Sequence, residues 1–373
     1  MSQGFDYALP ALRGTQAGHE YFVAMCPLRL LPRLFIFDDD EIPAELRAQR
    51  TLNQARVPEI RDYITDNRDS YAFSAITASI DGDAHFEVSS HHESLGTLKI
   101  PMTSRFILND GQHRRAAIEA ALELSPELGE ETIAVVFFLD KGLQRSQQLF
   151  ADLNKHAVKP TKSLGVLYDH RDPTAVLARE LAQDVRPFRG LTEMERTTIS
   201  NRSLALFTLS AVYQATLALL GKRKGDDVSE RDRAFAGEFW ESMTNIIPEW
   251  RMASERSIRS SELRRDYVHA HGVTLQAIGL AGHRLHEKHP SSWKPILEKL
   301  TELDWRRSNV TTWEGRAMTG GHMSKARQNV QLTAAFLMDV LDVLPEGEQP
   351  RIFSELPKPT RNLEPTGKDI NHE

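Results

Sequence analysis

At 373 residues the chain exceeds what one hydrophobic core usually serves, so two domains are expected. Its 40% hydrophobic and 26% charged residues place it with soluble globular proteins rather than disordered ones. A net charge of -6 argues against a protein that coats nucleic acid indiscriminately, while local DNA binding stays open because clustering of Lys and Arg on one face decides it.

Taken in chain order, the N-terminus carries no basic stretch followed by an apolar core and a small-residue cleavage site, so no secretory signal and a cytoplasmic protein are expected. Short β-branched or aromatic runs predict strands at Tyr21–Met25, Ala72–Ile80, Leu98–Ile100, Arg105–Leu108 and Thr132–Leu139. Cys26, the single cysteine, excludes an internal disulfide and a Cys-only zinc or iron–sulfur site in one chain. Arg29 and Arg33 nearby could activate its thiol, but a small buried hydrophobe is the simpler reading. A helix is expected over Ala44–Thr65, bent or broken at Pro58. Asp81-Gly82-Asp83 reads as a hairpin turn leading into Ala84–Val88 rather than a calcium loop, because further oxygen ligands are missing. Helices are expected after Gly111 and over Leu143–Lys155.

From Asp172 onward the pattern is almost wholly helical, with apolar spacing at Asn201–Leu220, Glu230–Met243, Ser261–Lys288, Ser292–Leu303 and Ser324–Leu344. Gly221 and Pro248 stand where helices should stop. The apolar run Leu204–Leu220 is interrupted by Ser210, Tyr213, Gln214 and Thr216, which suits a buried helix better than a membrane span. The expected architecture is α+β: a mixed αβ domain over 1–165, an all-helical domain over 166–345 and a flexible tail over 346–373.

The chemistry concentrates at Asp110-Gly111-Gln112-His113-Arg114-Arg115. A strand stopping at Asp-Gly allows a tight turn, since Gly tolerates positive φ, and the helix that follows offers unpaired N–H groups beside an imidazole and two guanidinium groups. Such a helix start attracts phosphate. The bland alternative is an ordinary turn followed by a solvated helix face.

The run Asp110–Arg114 resembles the signature of the DGQHR proteins, a branch of the ParB-like group. The flanking Ala11–Gln16, Gln49–Asn53, Phe150–Lys155 and Trp313–Met318 look like the DndB family of bacterial DNA phosphorothioation systems, and the similarity runs from about Tyr7 to about Leu344. The resemblance implies a ParB-like DGQHR domain in which Gly111, Gln112, His113, Arg114 and Arg115 bind phosphate, with Asp152 and Asn154 meeting the turn. It implies a non-catalytic, double-stranded-DNA-binding accessory protein that represses the modification genes or limits modification, in contact with other phosphorothioation proteins and without a required cofactor. An enzyme stays open. It would be a nucleotide hydrolase in which Asp110 and His113 are catalytic and a nucleotide is held with Mg2+, or less readily a DNA-nicking nuclease.

Two further basic sets complete the candidates. Arg47 and Arg50, with Arg56 and Arg61 beyond, could position phosphate or form surface ion pairs with Glu45, Glu59 and Asp62. Arg251, Arg256, Arg259, Arg264, Arg265, Arg306, Arg307, Arg316, Lys325 and Arg327 lie in the helical half. There Gly320-Gly321, with Ser324 as an N-cap, resembles a helix-turn-helix corner that would present Lys325, Arg327, Gln328 and Gln331 to DNA, against burial of the same helix. His269, His271, His283, His286 and His289 lack metal-ligand spacing, and no metal site is expected. A symmetric homo-oligomer would suit a palindromic DNA site, although nothing in the chain marks a dimer seam.

Overall fold

The computed structural model describes residues 5–35, 53–140, 145, 148–149, 152–153 and 160–345. The chain divides into two compact units, Met1–Val158 and Lys159–Glu373. The first is built on a mixed seven-stranded sheet and the second is largely helical.

The sheet comprises β1 (Asp6–Gln16), β2 (His19–Pro27), β3 (Ile76–Asp81), β4 (His85–Ser89), β5 (His92–Pro101), β6 (Arg105–Asp110) and β7 (Thr132–Leu139). The strand order is β4-β5-β1-β2-β7-β3-β6; only β3 and β7 run parallel. β1 escapes sequence reading because Pro10 and Gly14 look like breakers. Pro10 falls one residue outside the stretch Ala11–Gln16 that pairs with β2, and Tyr7, Leu9 and Ala11 alternate with more exposed neighbours. The hairpin closes at Ala17 and Gly18, both at positive φ, a turn whose twist matches that of the strands.

The Asp81-Gly82-Asp83 hairpin is corrected. β3 pairs with β7 and β6, whereas β4 pairs with β5 at the far end of the strand order. Four Cα steps separate Asp81 from His85, at most about 15 Å, yet five strand spacings would span about 24 Å in a flat sheet. The link from Pro101 to Arg105 poses the same problem. The sheet must therefore curl until its two ends approach. Aromatic contacts across the interior agree: Phe22 on β2 lies 5.3 Å from Phe86 on β4, and Tyr7 on β1 lies 6.3 Å from Phe106 on β6. Ala24, Cys26, Ile76, Ala78, Ile80, Val135 and Phe137 line the same core. Burial pushes the Cys26 thiol up to about 12, so it packs as a small hydrophobe and not as a reactive thiolate.

Of the expected Ala44–Thr65 helix, residues 44–52 lie outside the described residues. The helix observed is Arg56–Asp66, and residues 53–55 are not helical. Pro58 stands in its first turn, where a missing N–H costs nothing, so the break precedes the proline. Gln112–Leu124 forms as expected. Most of Leu143–Lys155 and the tail 346–373 lie outside the described residues.

The second unit is not all-helical: Thr192–Glu193 pairs with Phe207–Thr208, and Met318–Thr319 with His322–Met323. Its centre is three packed helices, Leu209–Leu220, Gly272–Lys288 and Arg327–Val340. A Cβ on Gly279 would sit 2.3 Å from the Ala215 carbonyl oxygen, so this crossing requires glycine. The expected Ser261–Lys288 helix is broken into Ser260–Asp266 and Gly272–Lys288. The break carries His269 and His271. The Trp250 indole N–H donates to His269 Nδ1 at 3.0 Å, and His271 Nε2 pairs with the Arg264 carbonyl at 2.8 Å. Among the described residues no group of three or more His, Cys, Asp or Glu is placed to hold a metal, and no helix is long and apolar enough to cross a membrane.

Burial lowers His269 to about 3 and His271 to about 4. Both are neutral in the fold but protonate near pH 6.5 once unfolded. Their stabilisation is therefore complete above that value and is lost as pH falls toward about 4, by up to about 1.4 kcal/mol per pH unit for each. Urea midpoints should fall over this window, and His269→Gln or His271→Asn should flatten that part of the profile while lowering stability at neutral pH by about 1–3 kcal/mol.

Candidate functional site

Leu108 and Asn109 end β6 inside the core, and the chain then turns at Gly111, whose φ of 103° suits glycine alone. A Cβ there would also meet Ile76 Cγ1 at 2.9 Å. The N-cap is Gly111, which has no side chain to cap the helix that begins at Gln112, and no side-chain cap is made to its first-turn amides among the described residues. A cavity of about 410 Å³ opens at this corner. Ile60, Tyr63 and Phe73 form its apolar wall, and Arg56, Glu59, Asp110, Gln112, His113 and Arg114 form its polar lining. The cavity thus brings together five of the expected residues, Asp110 to Arg114.

Arg114 lines the cavity, yet its guanidinium is engaged within the chain. Its Nη1 donates to the Ser74 carbonyl at 2.7 Å, to the Ala75 carbonyl at 3.1 Å and to the Ser74 hydroxyl, while Nη2 pairs with Asp110 Oδ2 at 2.7 Å. Only 14% of the side chain is exposed. Arg114 instead ties the segment entering β3 to the corner at the end of β6. Arg115 does not line the cavity; it is buried and pairs with Glu119 at 2.8 Å.

His113 Nε2 accepts a hydrogen bond from the Asn53 backbone N–H at 3.0 Å. That bond requires an unprotonated Nε2, and burial together with the Arg56 charge holds the imidazole below its ordinary pKa, opposed by Asp110. His113 is therefore a neutral ring whose Nδ1–H is the remaining donor, and a proton shuttle through Nε2 would break its bond to Asn53. The same contact joins two stretches far apart in sequence, because Asn53 also accepts at its carbonyl from the Arg56 N–H at 3.0 Å. Arg56 has no ion pair among the described residues and is the cation that the corner offers to solvent. Of the basic set Arg47, Arg50, Arg56 and Arg61, only Arg56 is in the cavity lining among the described residues. Arg47 and Arg50 lie outside the described residues, as does Asn154, while Asp152 accepts from Gln148 at 2.6 Å and is not part of the cavity lining.

In the helical unit the helix-turn-helix reading is corrected. Gly320 and Gly321, at φ 58° and 76°, form the turn of the small Met318–Met323 hairpin, and Glu314 accepts from both of their amides. Ser324 is not an N-cap, since the following helix starts after Ala326 without a side-chain cap. Most arginines of the basic set hold their own fold. Arg264 donates to the Ala205 and Ser200 carbonyls, Arg307 to those of Arg265 and Gly321, and Arg316 to Thr312 while stacking 4.8 Å over Phe336. Lys325 and Arg327 instead line a second cavity.

Two substitutions test this division of roles. Arg114→Ala removes a network of one ion pair and three hydrogen bonds and should cost about 2 kcal/mol in denaturant unfolding, whereas Arg56→Ala should leave stability within about 0.5 kcal/mol. Equal and negligible effects would show that Arg114 is not a staple.

No curated protein and no solved structure matches the chain. The family DndB, described as DNA-sulfur modification-associated, matches residues 9–344, a span that holds the corner, the Asn53–His113 contact and the Trp313–Met318 turn. The chain belongs to the DndB family, whose members are associated with DNA sulfur modification.

Proposed function

We propose that this protein is a DNA-binding accessory protein of DNA sulfur modification, which represses the modification genes or limits the extent of modification by engaging the phosphate backbone at the Gly111 corner. The observation that carries this reading is an open cavity at a helix start whose N-cap is glycine, lined by Arg56, which has no ion pair among the described residues. A ParB-like ancestry, implied by the Asp110–Arg114 run, would put a phosphate at the same place. The Gln112 to Arg114 amides would hold phosphate oxygens, the His113 Nδ1–H would add a neutral donor, and Arg56 would add charge. Arg114 would act by holding the corner in shape.

The competing reading is a Mg2+-dependent nucleotide hydrolase. It draws on Asp110 and Glu59, two carboxylates lining the same cavity. Asp110 already faces Arg114 at 2.7 Å, so a metal there would have to compete with a guanidinium.

Duplex binding should weaken steeply as salt is raised, and Arg56→Ala should lower affinity about tenfold and flatten the salt slope by about one counterion. Salt-insensitive binding, or full affinity in Arg56→Ala, would sink the corner as a DNA site. Phosphate release from ATP that needs Mg2+ and disappears in Glu59→Gln would install the hydrolase in its place.

A further inference from the structure

Two clefts of the helical unit, about 700 and 1010 Å³, share one residue, Lys325. The larger is also lined by Lys162, Arg327 and the amide side chains of Gln214, Gln276 and Gln331. The smaller is lined by Thr197, Thr198, Thr208 and Gly272 near the same ammonium. Lys325 Nζ reaches so close to Gly272 that a Cβ there would sit 3.2 Å from it, so glycine at the start of the 17-residue helix Gly272–Lys288 makes room for the lysine head.

In both clefts the cations outnumber the lining carboxylates, which are Asp169 and Asp172 in the larger and Glu262 in the smaller. Other cations nearby are committed: Lys224 pairs with Asp169 at 3.4 Å, Arg265 with Asp266 at 2.7 Å, and Arg264 with backbone carbonyls. The buried Asp172 accepts the Tyr213 hydroxyl and caps its own helix through the Thr174 N–H at 2.9 Å. Lys162, Lys325 and Arg327 have no carboxylate partner among the described residues. Desolvation lowers the Lys325 pKa, and the Lys162 charge lowers it further, as expected of like charges sharing one cleft. Gathering cations without a counter-charge is unfavourable in the empty protein, and an anion spanning them removes the repulsion. The first turn of the Gly272 helix has no side-chain cap and adds N–H donors beside the lysine.

We propose that this Lys162–Lys325–Arg327 cleft is a second phosphate-ester site, separate from the Gly111 corner. It takes the phosphates of a nucleotide or of a DNA strand, and Gln214, Gln276 and Gln331 offer amide donors and acceptors to the attached base or sugar. It goes beyond the reading of the corner and does not depend on it.

The test is calorimetric titration of the full chain with pyrophosphate, with ATP and with a random-sequence DNA duplex. Binding of pyrophosphate and ATP assigns the cleft to nucleotides, and binding of the duplex without them assigns it to DNA. In either case Lys325→Gln combined with Arg327→Gln should weaken binding at least about tenfold with an unchanged thermal midpoint, and Lys325→Arg should restore most of it. Gly272→Ala, which leaves every charge in place, should weaken the same ligand by displacing the lysine head. Arg56→Ala should leave pyrophosphate and ATP binding unchanged. The inference is overturned if none of the three probes binds at millimolar concentration, or if the affinity for pyrophosphate, ATP and duplex alike is unchanged in Lys325→Gln/Arg327→Gln. It is also overturned if only Arg56→Ala abolishes binding, a result that would leave the corner reading standing.

Discussion

One guanidinium holds the corner of the N-terminal unit where its candidate site opens. Arg114 gathers Asp110, Ser74 and the Ala75 carbonyl, and so joins the exit of β6 to the chain entering β3 at the point where the positive φ of Gly111 turns strand into helix. With most of the side chain out of water, each of these bonds is made against less competition from solvent. A sheet that curls enough for two three-residue links to join opposite ends of its strand order needs its corners held, and this corner is also where the candidate ligand site opens. Arg114 and the Asp110 carboxylate hold the turn, while Arg56, Gln112 and His113 line the same cavity.

The same division between committed and uncommitted cations runs through the helical unit. Arg264, Arg307 and Arg316 satisfy backbone carbonyls that loops leave unpaired, a task for which five donors on a planar group are well suited. These arginines carry charge without offering it to a ligand. Among the described residues, the cations that line a cavity without a carboxylate partner include Arg56 at one cavity, and Lys162, Lys325 and Arg327 at another. If an acidic chain is to engage phosphate, position must replace quantity of charge, which favours pockets over a basic surface.

Much of this was legible in the residues themselves. β-branched and aromatic runs marked β2, β3, β5, β6 and β7, Asp110-Gly111 marked the corner, and 3.6-residue spacing marked most helices of the second unit, because each of these signals is local. β1 was hidden by Pro10 and Gly14, since whether a proline breaks a strand depends on which neighbour needs its N–H. The Asp81-Gly82-Asp83 turn was misjudged for the same kind of reason: a turn sequence says that the chain bends, not which strand it will pair with. Ser324 and Gly320-Gly321 had the right residue types for a helix-turn-helix corner, but pairing of the flanking residues made a hairpin instead.

The sequence by itself determined most local conformations, the two-part organisation of patterns and, through its motifs, the family. Only the tertiary structure decided which charges are available. Arg114 and Arg56 are both arginines near one glycine corner, and no pattern separates them; the difference is that Ser74, Ala75 and Asp110 fold back onto the first, while the second is turned by its helix toward an open cavity. Availability of a side chain is a property of everything packed around it, which is why it cannot be read one residue at a time.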